Sequence, residues 1–377
     1  MRKKLFFFLE SLSGGGAEKA LSDFIAKADK TKYDITVGTV VDVGVYRDDI
    51  RKHCKYVSLL PDQGKMKGAF RRLLYKLKYK LVYRLPPAWV YKLLVKERYD
   101  CEIAFIEGFA TKVIASSTNR TSKKLAWVHT DLIEHNYADA YYANREAQVK
   151  AYKAFDNIVC VSENVKQAFE RKLFRHPGLV VKYNPVDSES IQRKGSSKSV
   201  RRGAEKVLLV TVGRLAPAKG YDRLLRVVHQ LIAEGAHLEL WVLGEGEERE
   251  RLEKYIQQNG LAEHVYLKGF QSNPYPYVRM CDIFVCSSIA EGYSLAIAEA
   301  MVLGLPVIST KSAGPNEILE LGEYGLLVEN NEEALYEGLL QLVSNEALRT
   351  YYRGKSLERS QCFNIRQAVA EIEKLFA

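Results

Sequence analysis

The stretch Ala290-Glu-Gly-Tyr-Ser-Leu-Ala-Ile-Ala-Glu-Ala300 restricts what this chain can become more than any other part of it. Before it, Asp282-Ile-Phe-Val-Cys-Ser-Ser288 is apolar and β-branched and ends in small polar residues, the pattern of a buried parallel strand running out into a loop. After it, Leu295 to Leu303 is built of good helix formers and closed by Gly304 and Pro306. The unit is therefore strand, glycine loop, helix. Backbone N–H groups near Tyr293 to Leu295, with the positive end of the helix dipole behind them, form an anion site. Glu291 in the loop and Glu299 on the helix flank that site, about 9 Å apart at roughly 1.5 Å rise per residue. Taken alone, the pattern has two readings. Either Glu291 caps the helix and Glu299 is a solvated side chain, or both carboxylates face a ligand whose phosphate lies between them.

The rest of the chain supplies a framework of the same kind. At 377 residues it exceeds what one core normally holds, so two domains are expected. Its apolar content of 47% beside 27% charged residues is that of a globular protein. The six cysteines, at 54, 101, 160, 281, 286 and 362, show no paired spacing and read as reduced thiols. No apolar run is long enough to span a bilayer, and the N-terminal Lys4 to Leu9 reads as a first strand because its short apolar run meets Glu10. Gly14 and Gly16 then open a helix, from about Ala17 to Asp29. Lys19 stands where a dinucleotide fingerprint needs its third glycine, which argues against a nicotinamide or flavin site.

Further strands are expected at Tyr33 to Thr39, Tyr56 to Leu60, Asp100 to Ile106, Lys124 to Val128 and Asp156 to Val161. The formal charge of +10 has a visible concentration. Over 65–84 Lys and Arg recur while Phe70, Leu73, Leu74, Leu77 and Leu81 keep helical spacing, which reads as a basic amphipathic helix on an anionic membrane surface or as a core-facing helix with a solvated basic side. Nucleic acid fits less well, since no nucleic-acid module surrounds it. Ser188 to Arg202 has linker composition, and beyond it the alternation restarts with strands at Val207 to Val212, Leu238 to Leu243 and Val265 to Leu267, and helices at Gly220 to Ala233, Glu247 to Gln258 and Glu332 to Ser344. At the end of the first of these strands, Gly213-Arg-Leu-Ala-Pro-Ala-Lys-Gly220 offers Arg214 as a bidentate fork and Lys219 as a point charge for a diphosphate.

The pair Glu291 and Glu299, followed by Ala300-Met301 and Gly304-Leu-Pro-Val-Ile-Ser309, resembles the signature of retaining GT-B glycosyltransferases of family 4, including those of bacterial capsule and exopolysaccharide synthesis. The resemblance covers nearly the whole chain and is strongest from 207 to 330. It implies an α/β GT-B fold of two facing Rossmann-like domains with a cleft between them. The expected parts are an acceptor domain over 1–187, a linker over 188–204, a donor domain over 205–361 and a C-terminal helix over 362–377 crossing towards the first domain. The implied reaction moves a sugar from a nucleotide diphosphate sugar, a UDP-sugar in the first instance, to a hydroxyl of a lipid-linked or other glycan, at the cytoplasmic face of the plasma membrane.

Carried onto this sequence, the resemblance assigns His129, Arg214, Lys219 and Glu291 to catalysis. Donor contacts fall on Gly15, Gly16, Gly213, Gly244, Phe270, Gly292, Tyr293, Ser294, Leu295 and Glu299 together with Arg214, Lys219 and Glu291. Glu107 and Asp131 are candidates for the acceptor. Tyr293 and Ser294 stand where many relatives carry Phe and Gly, which leaves the sugar open. No Asp-x-Asp motif is present to hold a metal, and no cofactor is expected. An epimerase acting on nucleotide sugars and a non-catalytic basic membrane-surface protein are the alternatives.

Overall fold

The computed structural model describes residues 1–197 and 206–377. They divide into two compact units, Met1–Asn184 with Arg366–Ala377, and Pro185–Ile365.

The first unit opens with β1 (Lys3–Leu9), α1 (Gly16–Lys27), β2 (Tyr33–Val41), α2 (Arg47–His53) and β3 (Lys55–Leu60). The basic segment gives α3 (Ala69–Arg84) and α4 (Pro87–Leu94). Then follow β4 (Cys101–Ala104), α5 (Phe109–Ala115), β5 (Lys123–Val128), α6 (Arg145–Tyr152), β6 (Asn157–Cys160), α7 (Glu163–Lys172) and β7 (Leu179–Val181). Its seven strands are ordered β3-β2-β1-β4-β5-β6-β7 and pair in parallel. β1 lies between β2 and β4, so Leu5 to Leu9 are buried on both faces, which is why that strand reads as an unbroken apolar run.

The second unit starts with α8 (Ser188–Gly195), β8 (Val207–Val212), α9 (Tyr221–Ala233), β9 (Leu238–Leu243), α10 (Arg249–Gln258) and β10 (Val265–Gly269). It continues through α11 (Tyr275–Arg279), β11 (Ile283–Cys286), α12 (Leu295–Val302), β12 (Val307–Thr310), α13 (Ala313–Ile318), β13 (Leu326–Val328), α14 (Glu332–Ser344) and α15 (Glu346–Ser360). Its six parallel strands run β10-β9-β8-β11-β12-β13. In each sheet the order reverses once, between β1 and β4 and between β8 and β11. Ligands of open parallel sheets bind outside the carboxyl ends of the strands at such a reversal.

Three local features differ from the sequence expectation. The linker expected over 188–204 is helical in its first half, because Asp187 caps α8 by accepting from Ser190 N at 3.1 Å and Ile191 is buried; residues 198–205 lie outside the described residues. The basic helix starts at Ala69 rather than near 65, since Gly68 at φ 92° cannot continue a helix backwards. That helix is also turned the opposite way from a core helix. Only Tyr75 and Val82 are buried, whereas Phe70, Leu73, Leu74, Leu77 and Leu81 are exposed, Phe70 by 77%. At 100° per residue these five lie on the face opposite Tyr75 and Val82.

The last helix, α16 (Ile365–Glu373), and the turn after it pack with the first unit. Phe376 is fully buried among the rings of Phe7, Phe24 and Tyr33, with centroids 5.7 to 6.1 Å away. Glu373 accepts from Asp29 N at 2.9 Å, and Lys3 Nζ donates to the Phe376 carbonyl at 2.9 Å. Phe376→Ala is therefore expected to destabilise the first unit by about 3–5 kcal/mol, read as a lower urea midpoint for that unit's transition.

Candidate functional site

The carboxyl ends of β8 and β11 and the start of α12 surround a pocket of about 220 Å³, counting its open mouth. Thr211, Lys219, Ser287, Ser288, Glu291 and Ser294 are among the residues that line it. Lys219 Nζ forms an ion pair with Glu291 Oε1, and Ser288 Oγ donates to the same oxygen at 2.9 Å. Both partners converge on Oε1 of that carboxylate. Burial opposes the charge on Lys219, but the Glu291 carboxylate outweighs it and holds the ammonium's pKa above its ordinary value. Ser294 is the N-cap of α12 and makes no side-chain bond to the helix N–H groups, so the first turn, with Ser294 and Ala296 on the wall, opens on the pocket.

Backbone contact between two loops makes this arrangement possible. Gly220 has φ 61°, and a Cβ there would stand 2.3 Å from the Ser287 carbonyl oxygen. Ile289 N donates to Ala218 O at 2.8 Å, and Ser287 Oγ donates to Lys219 O at 2.9 Å. A second close approach joins the ends of β8 and β9: Gly244, at φ 152°, would place a Cβ 1.9 Å from Gly213 O.

On the same loop as Lys219, Arg214 is well exposed, with Glu247 at 3.7 Å. Phe270, after β10, is 47% exposed, a bare ring at the sheet's carboxyl edge. Glu299 is buried rather than solvated, with the Tyr275 hydroxyl donating to it at 3.3 Å. Gly292 and Tyr293 lie against Gly314 at the start of α13, and Gly314 N donates to Glu291 O at 2.8 Å.

The remaining expected site residues belong to the first unit. Gly15 caps α1, and Gly16 has open space beside it. His129, just past β5, is 9% exposed, and its Nε2 has no hydrogen-bond partner among the described residues. Burial pulls its pKa below the ordinary 6.5, against the opposing influence of Glu107 and the Phe105 carbonyl, so the ring is neutral. Glu107 and Asp131, expected to meet an acceptor, are turned inward. Glu107 is fully buried, accepting from His129 N at 3.1 Å and from Thr130 Oγ1. Asp131 accepts from Ile133 N at 2.8 Å and Glu134 N at 3.1 Å. Both carboxylates therefore fix the backbone of the loop after β5, because a buried carboxylate needs such donors.

Sequence reasoning passed over Arg223 and Tyr221, both on α9. Tyr221 lines the pocket, and burial pushes its hydroxyl up to about 12 while neighbouring Lys219 pulls the other way. Arg223 is 9% exposed beneath the pocket wall. Its signal was available: an arginine inside the apolar stripe Tyr221, Leu224, Leu225, Val227 and Val228.

Residues 192–358 match the family described as glycosyl transferases group 1. Along its length the chain is similar to the N-acetylgalactosamine-N,N'-diacetylbacillosaminyl-diphospho-undecaprenol 4-alpha-N-acetylgalactosaminyltransferase of Campylobacter jejuni, 27% identical over 369 residues, covering 96% of both proteins. Its fold is that of HepE from Anabaena, solved in complex with UDP, with a TM-score of 0.73 at 21% identity over 99% of this chain and 98% of that one. TarM of S. aureus, also solved with UDP, gives 0.73 at 15% identity over 99% of each. The two parallel-sheet units are those of the GT-B fold, and the chain is a glycosyltransferase whose residues 192–358 carry the group 1 match.

The buried neutral His129 predicts a pH dependence. Below about pH 6.5 the unfolded chain takes up a proton that the folded one refuses, so stability falls with acidification in that window, by at most about 1.4 kcal/mol per pH unit. His129→Gln should reduce this loss, measured as the difference in unfolding free energy between about pH 7.5 and about pH 5.5 in variant and parent.

Proposed function

We propose that this glycosyltransferase moves a sugar from a UDP-sugar to a hydroxyl of a lipid-linked glycan, with retention at the anomeric carbon. The observation that carries this reading is the meeting of Lys219, Glu291, Ser288 and the first turn of α12 on one pocket, at the point where the strand order of the second sheet reverses. A diphosphate has there a helix N-terminus and an ammonium, and Arg214, exposed on the same loop as Lys219, is assigned to it as a guanidinium fork. Glu291 accepts from sugar hydroxyls through its second oxygen. Phe270 offers a ring for the base, Gly213 and Gly244 let the nucleotide approach the backbone, and Glu299 is assigned to the ribose hydroxyls. Gly15 and Gly16 are assigned to donor binding.

In the reaction, the bond from the anomeric carbon to the diphosphate oxygen breaks and a bond to the acceptor oxygen forms on the same face. The acceptor's proton passes to the departing diphosphate. Positive charge already in place at Lys219, Arg214 and the α12 N-terminus stabilises the charge that develops on the leaving group without reorganising at the moment of reaction. His129 is assigned the orientation of the sugar: its neutral ring has a bare Nε2 that accepts from a hydroxyl. The UDP complexes of HepE and TarM support the choice of base, and the diphospho-undecaprenol in the name of the Campylobacter jejuni relative supports a lipid-linked acceptor.

The same acceptor explains α3. No helix among the described residues is long and apolar enough to cross a membrane, yet α3 directs Phe70, Leu73 and Leu77 to solvent with Lys76, Lys78 and Lys80 flanking them, and Trp89 of α4 is 63% exposed. An apolar stripe bordered by lysines, facing away from the core, suits the surface of an anionic bilayer. Capsule or other cell-surface polysaccharide synthesis at the inner face of the plasma membrane is the process this arrangement serves.

Two experiments bear on the reading. Glu291→Gln should lower turnover at least about a hundredfold while UDP affinity changes less than about threefold, followed as UDP release from a panel of UDP-sugars with a polyprenyl-diphosphate glycan; unchanged turnover would reject the site. Replacing Lys76, Lys78 and Lys80 by Gln should weaken binding to phosphatidylglycerol vesicles about a hundredfold, at about 1 kcal/mol per lysine, and undiminished binding would remove α3 from the membrane.

A further inference from the structure

Arg223 is a buried guanidinium whose hydrogen bonds all go to neutral oxygens. Nε donates to the Ser287 carbonyl at 2.9 Å, and Nη2 donates to the Ser287 carbonyl, to the Ser288 carbonyl at 3.0 Å and to Thr310 Oγ1 at 3.2 Å. Thr310 Oγ1 donates in turn to the Ser288 carbonyl at 2.7 Å. Among the described residues no carboxylate forms an ion pair with Arg223. The acids nearest in charge, Asp222 and Glu332, pair with Arg226 at 3.3 and 2.8 Å. Burying a cation without a counter-ion is costly, and burial does pull the pKa of this group down from its ordinary value. A chain that only needed to join α9 to β11 could do so with an aliphatic side chain, as Leu224 and Val227 do on the same helix.

What the guanidinium holds is the wall of the pocket. Ser287 and Ser288 line the cavity with Lys219 and Glu291, and they are the first residues past β11, where strand carbonyls no longer have sheet partners. Left free, two carbonyl oxygens at this point could face the cavity and repel an anion. Arg223 binds both from the side of α9, which leaves the Ser287 and Ser288 hydroxyls to Lys219 O and Glu291 Oε1.

Resting on the nucleotide-sugar reading above, we propose that Arg223 is a positioning residue for the donor diphosphate: it turns the Ser287 and Ser288 carbonyls out of the pocket and adds an uncompensated positive charge behind that wall. The ligand feature it serves is the diphosphate and not the nucleoside. Arg223 has no contact with the ligand in this assignment, and its influence passes through the wall's carbonyls and through the field of a buried charge, which is weakly screened.

The test compares UDP with uridine on the full-length protein by calorimetry. Arg223→Gln should weaken UDP about tenfold while uridine changes less than about twofold, since only the charged part of the ligand senses the wall. Arg223→Lys keeps the charge and loses the planar fork, so it should recover about half of that loss on a logarithmic scale; it also carries the comparison alone, as a loss of about threefold for UDP only, if the Gln variant does not fold. Equal losses for UDP and uridine would mean that Arg223 merely supports the fold, and unchanged UDP affinity in a folded variant would mean that it plays no part; either overturns the proposal. Failure of the parent protein to bind UDP would instead remove the nucleotide-sugar reading, and this proposal with it.

Discussion

The second unit depends on one close approach of backbone to backbone, where the turn before α9 meets the exit of β11. With the Ser287 carbonyl oxygen 2.3 Å from the place of a Cβ on residue 220, only glycine fits, and its left-handed φ of 61° strains any other residue. The contact draws together two loops that lie far apart in sequence. Ala218 O then receives Ile289 N, Lys219 O receives Ser287 Oγ, and Lys219 Nζ reaches Glu291. Arg223 grips the same carbonyl from one turn further along α9. Replacing Gly220 would therefore separate a cation from its carboxylate before it disturbed any apolar packing, because the core under this region is built by Leu224, Leu225 and Val228 on the other side of the helix turn.

Much of the framework was legible beforehand. The strands Val207–Val212 and Leu238–Leu243 and the helix Glu332–Ser344 have the bounds expected of them, since each is a strongly patterned segment between glycine or polar stops. α15 was missed for a physical reason. It packs on α12 through small polar residues, with Ser356 and Ser360 buried and Ser356 Oγ donating to Leu305 O at 2.6 Å, so its apolar signal is confined to a few residues such as Leu348 and Tyr352. α8 was hidden likewise, because a polar helix with one buried Ile191 has the composition of a linker. In the site, glycines and charges announced themselves singly, but pairings did not. That Lys219 takes Glu291 as its partner, that Glu107 turns to His129 N, and that Arg223 lies under the wall are consequences of chain crossings that no local pattern contains.

The two strand-order reversals share a topology and differ in chemistry. At the first, between β1 and β4, the charged groups are carboxylates: Glu10, which accepts from the Tyr83 and Tyr141 hydroxyls, and Glu107, buried and occupied in fixing the loop that carries a neutral His129. At the second, between β8 and β11, Lys219, Arg214 and the hidden Arg223 outnumber the pocket's carboxylate, Glu291, with a helix N-terminus beside them. A neutral imidazole suits hydroxyls, whereas clustered cations suit phosphates. The same scaffold thus sorts a neutral ring to one unit and cations to the other by what it places after equivalent strands.

This sorting also separates the chain's positive charges into two populations. The lysines of α3 are exposed, so their field falls away over about 8 Å at physiological salt, and they act only on what touches the surface. Arg223 is buried and Lys219 is about three-quarters covered, so their fields are less screened. An overall charge of +10 is therefore no measure of affinity for anions. Added salt weakens the field of the exposed population long before that of the shielded one, because only the first relies on interactions that solvent ions can freely enter.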